Sequence, residues 1–301
     1  EGDQAASGGA ASGPAPMTST ESLVRRTPGT DTEGLLRALD ARLWEAARTL
    51  LPDAGAVNPD APGDYAVDAL ARLLATLPTR PGAAHWLVLT AVCAAFPAVG
   101  DVEWLARRVE LNRIPDVVVE LLERARDGAG TSSLGLSMEV VSDRPVVYVD
   151  YCATTDNHTG IQRVVRETLP RWRDEHALTT VALVEAGTAY RTLAPSEEAR
   201  VFAYGSHGRT ARPTDDDYEM TLVVPWKTVV VLPEVPALDS VPAHVGLARY
   251  SGNEVSIIGY DMIPILSAEQ RPGQDAGLFS QFLAVVKHAH RVAGISNSAS
   301  S

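Results

Sequence analysis

The chain has 301 residues and a formal net charge of -12, with 45% apolar and 21% charged residues. A chain of this length and composition can bury one large globular core or two ordinary ones. The acidic balance excludes a general nucleic-acid binder, because contact with a phosphate backbone needs a basic face. It does not bear on small anionic ligands, which need only a local site.

The N-terminal residues 1–29 are rich in Gly, Ala, Ser, Thr and Pro, and we interpret them as a disordered linker or tag remnant. The sequence shows no signal peptide pattern, and its longest apolar run, residues 83–96, is too short to span a bilayer. Cys93 and Cys152 are not clustered, which favours free thiols in a reducing compartment. We therefore expect no transmembrane segment and a cytoplasmic location, either free or at the membrane surface.

Residues 30–130 are predicted to form a small all-α accessory domain. Apolar residues recur there at steps of three and four, which is the period of an amphipathic helix. Pro52, Pro78 and Gly128 terminate individual helices, and Pro115 suits a first helical turn. The predicted helices begin near Thr30, Asp64, Ala83, Asp101 and Pro115. Docking of a partner and self-association are the roles expected of such a bundle.

Residues 138–301 are predicted to form a Rossmann-like α/β domain with a mostly parallel sheet. Short β-branched runs alternate with helical segments, and this alternation is typical of parallel sheets covered on both faces. A helix is predicted over residues 161–176, with Ile161, Val164, Val165, Leu169 and Trp172 on one face, and another over residues 275–294. Strands are predicted at residues 138–141, 145–152, 179–186, 198–205, 220–224, 227–234, 254–264 and 292–296.

The segment from Val146 to Trp172 has the outline of a strand, a polar loop and a helix N-terminus. Gly160 begins the helix, so the backbone could approach an anion there without a Cβ in the way. Gln162 and Arg163 could add side-chain donors. The alternative is a plain strand-to-helix turn capped by Thr159 or Asn157.

Two further strand ends carry polar residues at the predicted ligand-binding edge of the sheet. Glu234 follows a buried strand, where its carboxylate could accept a hydrogen bond from a sugar hydroxyl or act as a base. The alternative is a solvated acidic residue in a loop. Tyr260 and Asp261 end another strand, where they would contact a sugar and orient a hydroxyl. The alternative for this pair is a turn aspartate beside a packing tyrosine.

Four segments, "TGIQRVVRETL", "VVVLPEVP", "IGYDMIP" and "VKHAHRVAGISNSAS", resemble in order and spacing the N-terminal half of the retaining family 4 glycosyltransferases. These enzymes have the GT-B fold, in which two Rossmann-like domains face each other across a cleft. The similarity covers residues 140–301. The resemblance implies that the chain is the acceptor-side portion of a transferase that moves a sugar from a nucleotide sugar to a hydroxyl of a glycan or another acceptor.

The resemblance also implies roles for individual residues. Thr159, Gly160, Gln162 and Arg163 would approach the donor diphosphate, and His158, Glu234 and Asn297 would position acceptor or sugar. Tyr260 and Asp261 match the family's usual His-Asp pair, so tyrosine replaces histidine at the catalytic position. No metal or other cofactor is expected.

The family's donor-binding C-terminal domain has no counterpart in the sequence, so we expect an incomplete enzyme that is inactive as an isolated chain. A truncated protein, a donor half on another chain and a non-catalytic relic are the readings left open. The alternative from a different class is a binding or assembly module on a Rossmann-like scaffold. A small nucleotide-binding protein is disfavoured, because a full G-x-G-x-x-G pattern is missing.

Overall fold

The computed structural model of the chain describes residues 32–128, 131–157, 159–204, 214–259 and 282–294. Within these ranges the protein is α/β, with ten numbered helices, a further helical stretch at residues 282–286 and an eight-stranded, mostly parallel sheet. The helices of residues 32–134 come first along the chain, and the sheet begins at Ser137. The predicted fold class, a Rossmann-like sheet preceded by helices, is confirmed.

The helices before the sheet follow the predicted order. They are α1 (Thr32–Leu50), α2 (Asp64–Thr76), α3 (Ala83–Cys93), α4 (Val99–Leu111), α5 (Ile114–Gly128) and the short α6 (Thr131–Leu134). The N-terminus of α2 is capped from α1, because the Asp40 carboxylate accepts hydrogen bonds from Gly63 N at 2.7 Å and Ala66 N at 2.8 Å. Thr30, near which the first helix was predicted to begin, lies outside the described residues.

The sheet has the strand order β1-β5-β4-β3-β2-β6-β7-β8. Its strands are β1 (Ser137–Val141), β2 (Val146–Tyr148), β3 (Thr179–Leu183), β4 (Tyr190–Arg191), β5 (Thr221–Pro225), β6 (Val229–Leu232), β7 (Glu254–Gly259) and β8 (Arg291–Gly294). The pairings are parallel except those of the two-residue β4 with β3 and β5. The helices after β2 are α7 (Asp150–Thr154), α8 (Gly160–Glu175), α9 (Pro195–Phe202) and α10 (Val241–Tyr250).

The prediction was wrong for residues 198–205, because residues up to Phe202 belong to α9 rather than to a strand. Pro195 begins this helix, and the Glu197 carboxylate accepts from Ala194 N at 2.9 Å. The same carboxylate forms a fully buried ion pair with Arg191 of β4 at 2.6 Å. Proline and acidic residues in a first turn favour a helix over a strand. Helix α10 was not predicted.

The end of the long predicted helix over residues 275–294 lies partly within the described residues. Residues 282–286 are helical, as predicted. The chain then turns, and β8 begins at Arg291, one residue before the strand predicted at residues 292–296. The predicted helix therefore extends too far at its C-terminal end. Its first turns, up to residue 281, lie outside the described residues.

The helices of residues 32–134 and the sheet share one continuous cluster of buried side chains. Arg42 of α1 is completely buried and donates to Ala91 O of α3 at 2.7 Å and to Leu136 O, just before β1, at 2.8 Å. On the other side of the cluster, α10 packs against the segment between α3 and α4. An ideal Cβ on Gly246 would lie 2.0 Å from Pro97 O, so the two backbones are in direct contact.

A chain of aromatic rings crosses this cluster from α3 to β2. Phe96 lies 5.0 Å from both Trp86 and Tyr190, and Tyr190 lies 5.8 Å from Tyr148 and 5.5 Å from His244, measured between ring centroids. Burial lowers the pKa of His244 to about 4, so this imidazole is neutral at physiological pH. Its environment is that of a packed core residue.

The two buried tyrosines differ in whether their hydroxyl groups form hydrogen bonds. We therefore expect removal of the two hydroxyl groups to change the free energy of unfolding in opposite directions. The Tyr148 hydroxyl hydrogen-bonds to the backbone of Ala237, whereas Tyr190 Oη has no hydrogen-bond partner in the structure as described. We expect Tyr148→Phe to lower the free energy of unfolding by about 1 kcal/mol, and Tyr190→Phe to raise it by about 1 kcal/mol, since the latter removes an unsatisfied polar group. Urea unfolding of both variants measures the sign of each change in the free energy of unfolding. Equal losses would show that a buried water satisfies the Tyr190 hydroxyl.

Candidate functional site

The candidate site lies at the carboxyl ends of β2 and β6, where the order of the sheet reverses. From β2 the chain passes through α7 and α8 to β3 on one side, whereas β6 pairs with β2 on the other side. Divergence of the connections at such a switch point leaves a crevice beyond the strand ends. The segments that follow β2 and β6 are in contact beyond these strand ends.

Glu234, which follows β6, caps the short helix α7, which follows β2. Its carboxylate accepts hydrogen bonds from Tyr151 N at 2.8 Å and from Cys152 N at 2.9 Å, two amides at the first turn of α7. Glu234 is 2% exposed, so the alternative of a solvated loop acid is wrong. Burial raises the pKa of this carboxyl above its usual value, although the bonds from the two amides oppose the shift.

The two polar residues beside Glu234 are also engaged within the fold. Asp150 accepts from Leu183 N at 2.8 Å, which joins the end of β2 to the end of β3. The Cys152 thiol is buried, and its sulfur lies 3.9 Å from Gln162 O. Burial, with the nearby Glu234 carboxylate, raises the pKa of Cys152, so the thiol stays protonated and is a poor nucleophile. These contacts make the base of the crevice rigid rather than reactive.

Gly160 is the first residue of α8, as predicted, and it is exposed. Among the described residues, no atom lies within 4 Å of a Cβ built on Gly160, so the space at this Cβ position is open to them. Helix N-termini carry unpaired N–H groups and a partial positive charge, and both attract anions. The open space over Gly160 therefore permits a ligand to approach the backbone.

Two side chains next to Gly160 have different environments. Gln162 caps the start of α8, and Arg163 faces solvent. The Gln162 side chain is buried and accepts from Thr159 N at 3.2 Å, so it caps α8 in the manner of a capping box. The side-chain oxygen of Gln162 therefore takes part in the cap of α8. Arg163 is exposed on the first turn and is free to orient toward solvent or an anion.

Three side chains bond the end of α7 and the loop that follows it. They are Arg166 of α8, Arg200 of α9 and Tyr204, and we call them the arginine clamp. Arg166 donates to Cys152 O at 3.1 Å, Thr155 O at 3.0 Å and Asn157 O at 2.7 Å. Arg200 donates to Ala153 O at 2.9 Å, and Tyr204 Oη donates to Asp156 O at 3.2 Å.

Five of the predicted site residues lie within the described residues, at the start of α8 and at the end of β6, and four lie outside them. Thr159, Gly160, Gln162 and Arg163 begin α8, and Glu234 lies at the neighbouring strand end. The four outside the described residues are His158, Tyr260, Asp261 and Asn297.

Arg166 and Arg200 were not predicted. The buried face of α8 consists of Gln162, Val165, Arg166 and Leu169, whereas Val164, predicted to be on that face, is 38% exposed. An arginine beside two buried apolar positions was the available signal.

The described residues contain no group of three His, Cys, Asp or Glu side chains that could hold a metal ion. The first turn of α8 offers unpaired backbone N–H groups beside the exposed Arg163 side chain, and groups of both kinds can bind an anion. Over the described residues as a whole, no helix is long and apolar enough to cross a membrane.

The fold and this crevice define an α/β protein with a Rossmann-like sheet preceded by helices. Comparisons with protein-family models, with curated proteins and with solved structures give no match to this chain.

Proposed function

We propose that the chain is the acceptor-side portion of a retaining glycosyltransferase of the GT-B type. Its substrates would be a nucleotide sugar and an acceptor hydroxyl on a glycan or another molecule. The first turn of α8 would contact the donor diphosphate, and a second Rossmann-like domain would hold the nucleotide. Catalysis would depend on electrostatic support of the departing diphosphate by preorganised N–H donors, with no metal required.

The observation that carries this proposal is the position of Gly160. It begins a 16-residue helix beyond the carboxyl end of β2, at the switch point of the sheet, and open space lies above it. Glycine at the start of a helix lowers helix stability relative to alanine, and no close contact with the described part of the chain demands glycine at this position. A ligand that touches the backbone explains the glycine.

The same geometry assigns different tasks to the two strand ends. Because Glu234 already occupies the first turn of α7, an anion has access to the α8 terminus and not to that of α7. Glu234 would then act on acceptor or sugar through the loop that it holds. Tyr260, Asp261, His158 and Asn297 keep the roles that the resemblance implies for them.

The proposal predicts that Gly160→Asp separates anion binding from stability. The new carboxylate would lie at the positive end of α8, where it stabilises the helix by about 0.5 kcal/mol. It would also repel a phosphate at the same place, and we expect the affinity for pyrophosphate to fall at least about tenfold, equivalent to about 1.4 kcal/mol. The measurement is a titration of the chain with inorganic pyrophosphate and with nucleoside diphosphates, followed through the backbone amide NMR signals of residues 159–163.

Gly160→Ala is the matched control, because its methyl group enters open space and adds no charge. We expect it to retain affinity within about threefold, which corresponds to well under 1 kcal/mol. If the unmodified chain shows no response of these amides to pyrophosphate, α8 begins a plain corner and the proposal fails. Self-association of the chain in that case would favour the assembly module.

A further inference from the structure

A cavity of about 270 Å³ lies where the helices before the sheet meet the turn between β3 and β4 and the start of α10. One wall is the segment between α3 and α4, and the first turn of α4 and the C-terminal half of α5 form another. Its volume is just below the range of about 300–1,000 Å³ that is typical of small-molecule sites. The cavity is therefore large enough for one compact ligand.

The inner surface of this cavity is apolar. Its lining includes Leu89, Phe96 and Ala125, each at most 6% exposed. Cys93 also lines it, and burial, with the nearby Asp101 carboxylate, raises the pKa of this thiol to about 11. The thiol is therefore protonated and uncharged at physiological pH, so the inner surface suits the apolar part of a ligand.

The backbone beside the cavity has an uncommon conformation. Ala94 lies between Cys93 and Ala95 of the lining, and its φ of 51° and ψ of 32° place it in the left-handed region. Few residues other than glycine adopt this conformation, and local strain of this kind is concentrated at ligand-binding and active sites. The strain therefore favours a ligand site at this cavity, beyond what its volume indicates.

Of the three charged side chains that line the cavity in the described part of the chain, two neutralise each other. Arg124 of α5 forms an ion pair with Asp101 of α4, and the Asp101 carboxylate also accepts from Ala98 N at 2.9 Å. The Cζ atom of Arg124 lies 4.7 Å from the centroid of the Trp104 ring. These contacts hold the pair in place, so it makes the rim of the cavity polar without a net charge.

Asp239 is the third charged side chain. It lies on the turn before α10, it is exposed, and it makes no ion pair with any described residue. Because Asp101 is matched by Arg124, the described lining residues carry one uncompensated negative charge, that of Asp239. A cation is electrostatically complementary to this rim, whereas an anion is repelled by it.

We propose that this cavity binds a small organic ammonium compound. The apolar body of the ligand lies against Leu89 and Phe96, and its positive nitrogen meets the Asp239 carboxylate at the rim. None of the described residues that line the cavity belongs to the crevice at Gly160, so this site is independent of the function proposed above. An occupant contacts the helices and the α/β region at once, and its binding therefore stabilises their packing.

The probe is benzylammonium, compared with the neutral benzyl alcohol and the anion benzoate, which have bodies of similar size. The whole chain is titrated with each compound, and binding is followed through the backbone amide NMR signals of Cys93, Asp101 and Thr188. We expect benzylammonium to bind about fivefold more tightly than benzyl alcohol, the size typical of an ion pair at a partly exposed site. Benzoate should bind most weakly, and the preference for the cation should decrease as the salt concentration rises.

Asp239→Asn removes the charge at the rim and keeps the shape of the side chain. We expect this variant to bind benzylammonium and benzyl alcohol within about twofold of each other. Asp68→Asn is the matched control, because Asp68 is exposed on α2 and does not line the cavity. The control should keep the preference of about fivefold for the cation.

Cys93→Leu is a second variant, which reduces the space in the cavity and adds no charge. We expect it to lower the affinity for both benzylammonium and benzyl alcohol at least about fivefold. The urea midpoint, measured in parallel, identifies any loss that comes from unfolding. If this variant does not fold, Asp239→Asn still tests the contact with the positive nitrogen.

Two results with the unmodified chain would overturn the proposal. One is equal affinity for benzylammonium and benzyl alcohol, and the other is no response of the three amide signals to any of the compounds. A preference for the cation that persists in Asp239→Asn would contradict it as well. Each of these results leaves the proposed function standing, because that function is tested with pyrophosphate at the start of α8.

Discussion

Gly246→Ala is expected to lower the free energy of unfolding by about 3 kcal/mol, a large fraction of the stability of an ordinary domain. The added Cβ would lie 2.0 Å from Pro97 O, far inside van der Waals contact. Pro97 cannot move away easily, because Phe96 N is bonded to Thr188 O at 2.8 Å and Ala98 N to the Asp101 carboxylate at 2.9 Å. Helix α10 would have to separate from the segment between α3 and α4.

The control for this prediction is Gly100→Ala in the first turn of α4. A Cβ at Gly100 meets no atom within 4 Å, so alanine should raise the free energy of unfolding by up to about 1 kcal/mol through helix propensity. Urea unfolding with unchanged m-values compares the two variants. A loss of under about 1 kcal/mol for Gly246→Ala would show that α10 does not contact the Pro97 backbone in solution.

Glu234→Leu is expected to lower the free energy of unfolding by about 3 kcal/mol, because it leaves the amides of Tyr151 and Cys152 without their acceptor. Relief from burying a charge offsets part of this cost. Glu234→Gln should have a smaller effect, since its amide oxygen can still accept one of the two bonds. Urea unfolding at pH 7 measures both losses, and a neutral Glu234→Leu would contradict the capping role.

The pH dependence of Glu234 provides a second measurement with a definite sign. Burial raises the folded-state pKa of this carboxyl above its ordinary value of 4.5, and the charge of Asp150 acts in the same direction. Between the unfolded and folded pKa values the folded state binds more protons, so this group's contribution to stability falls as pH rises through that window. The difference in unfolding free energy between the unmodified chain and Glu234→Gln should therefore decrease from about pH 4.5 upward.

Glu254→Gln is the matched control, because Glu254 begins the neighbouring strand β7 but is exposed and only 3.5 Å from the exposed Arg291. Its effect on the free energy of unfolding should be within about 0.5 kcal/mol. If the difference in unfolding free energy between the unmodified chain and Glu234→Gln increased with pH, the hydrogen bonds from the two amides would have a larger effect on the pKa of Glu234 than burial has. The pKa of Glu234 would then lie below its ordinary value.

Local sequence signals were sufficient for much of the fold. The apolar period and the proline and glycine breakers located α1 to α5, because a helix that packs on one side needs that period over its whole length. The valine-rich run of β6 and the start of α8 at Gly160 were also evident, since both depend on residues adjacent in sequence. Local reasoning was less successful with α9, where β-branched and aromatic residues in "ARVFAYG" suggested a strand.

Contacts between distant parts of the chain explain what the sequence did not show. The acceptor at the start of α7 is Glu234, 82 residues beyond Cys152, and sheet register alone brings the two together. A charged residue on the buried face of α8 has a place only because the loop carbonyls and the Tyr204 ring surround Arg166.

The sequence by itself therefore determined the class of fold, the helices of the first region and the glycine at the start of α8. These features follow from short-range periodicity, capping and backbone freedom, which act within a few residues. The tertiary structure decided that Glu234 is a buried cap, that Arg166 holds the loop, and that Gly246 lies on Pro97. Each of these depends on the packing of helices and the pairing of strands that are remote in sequence, and no local pattern encodes the partner.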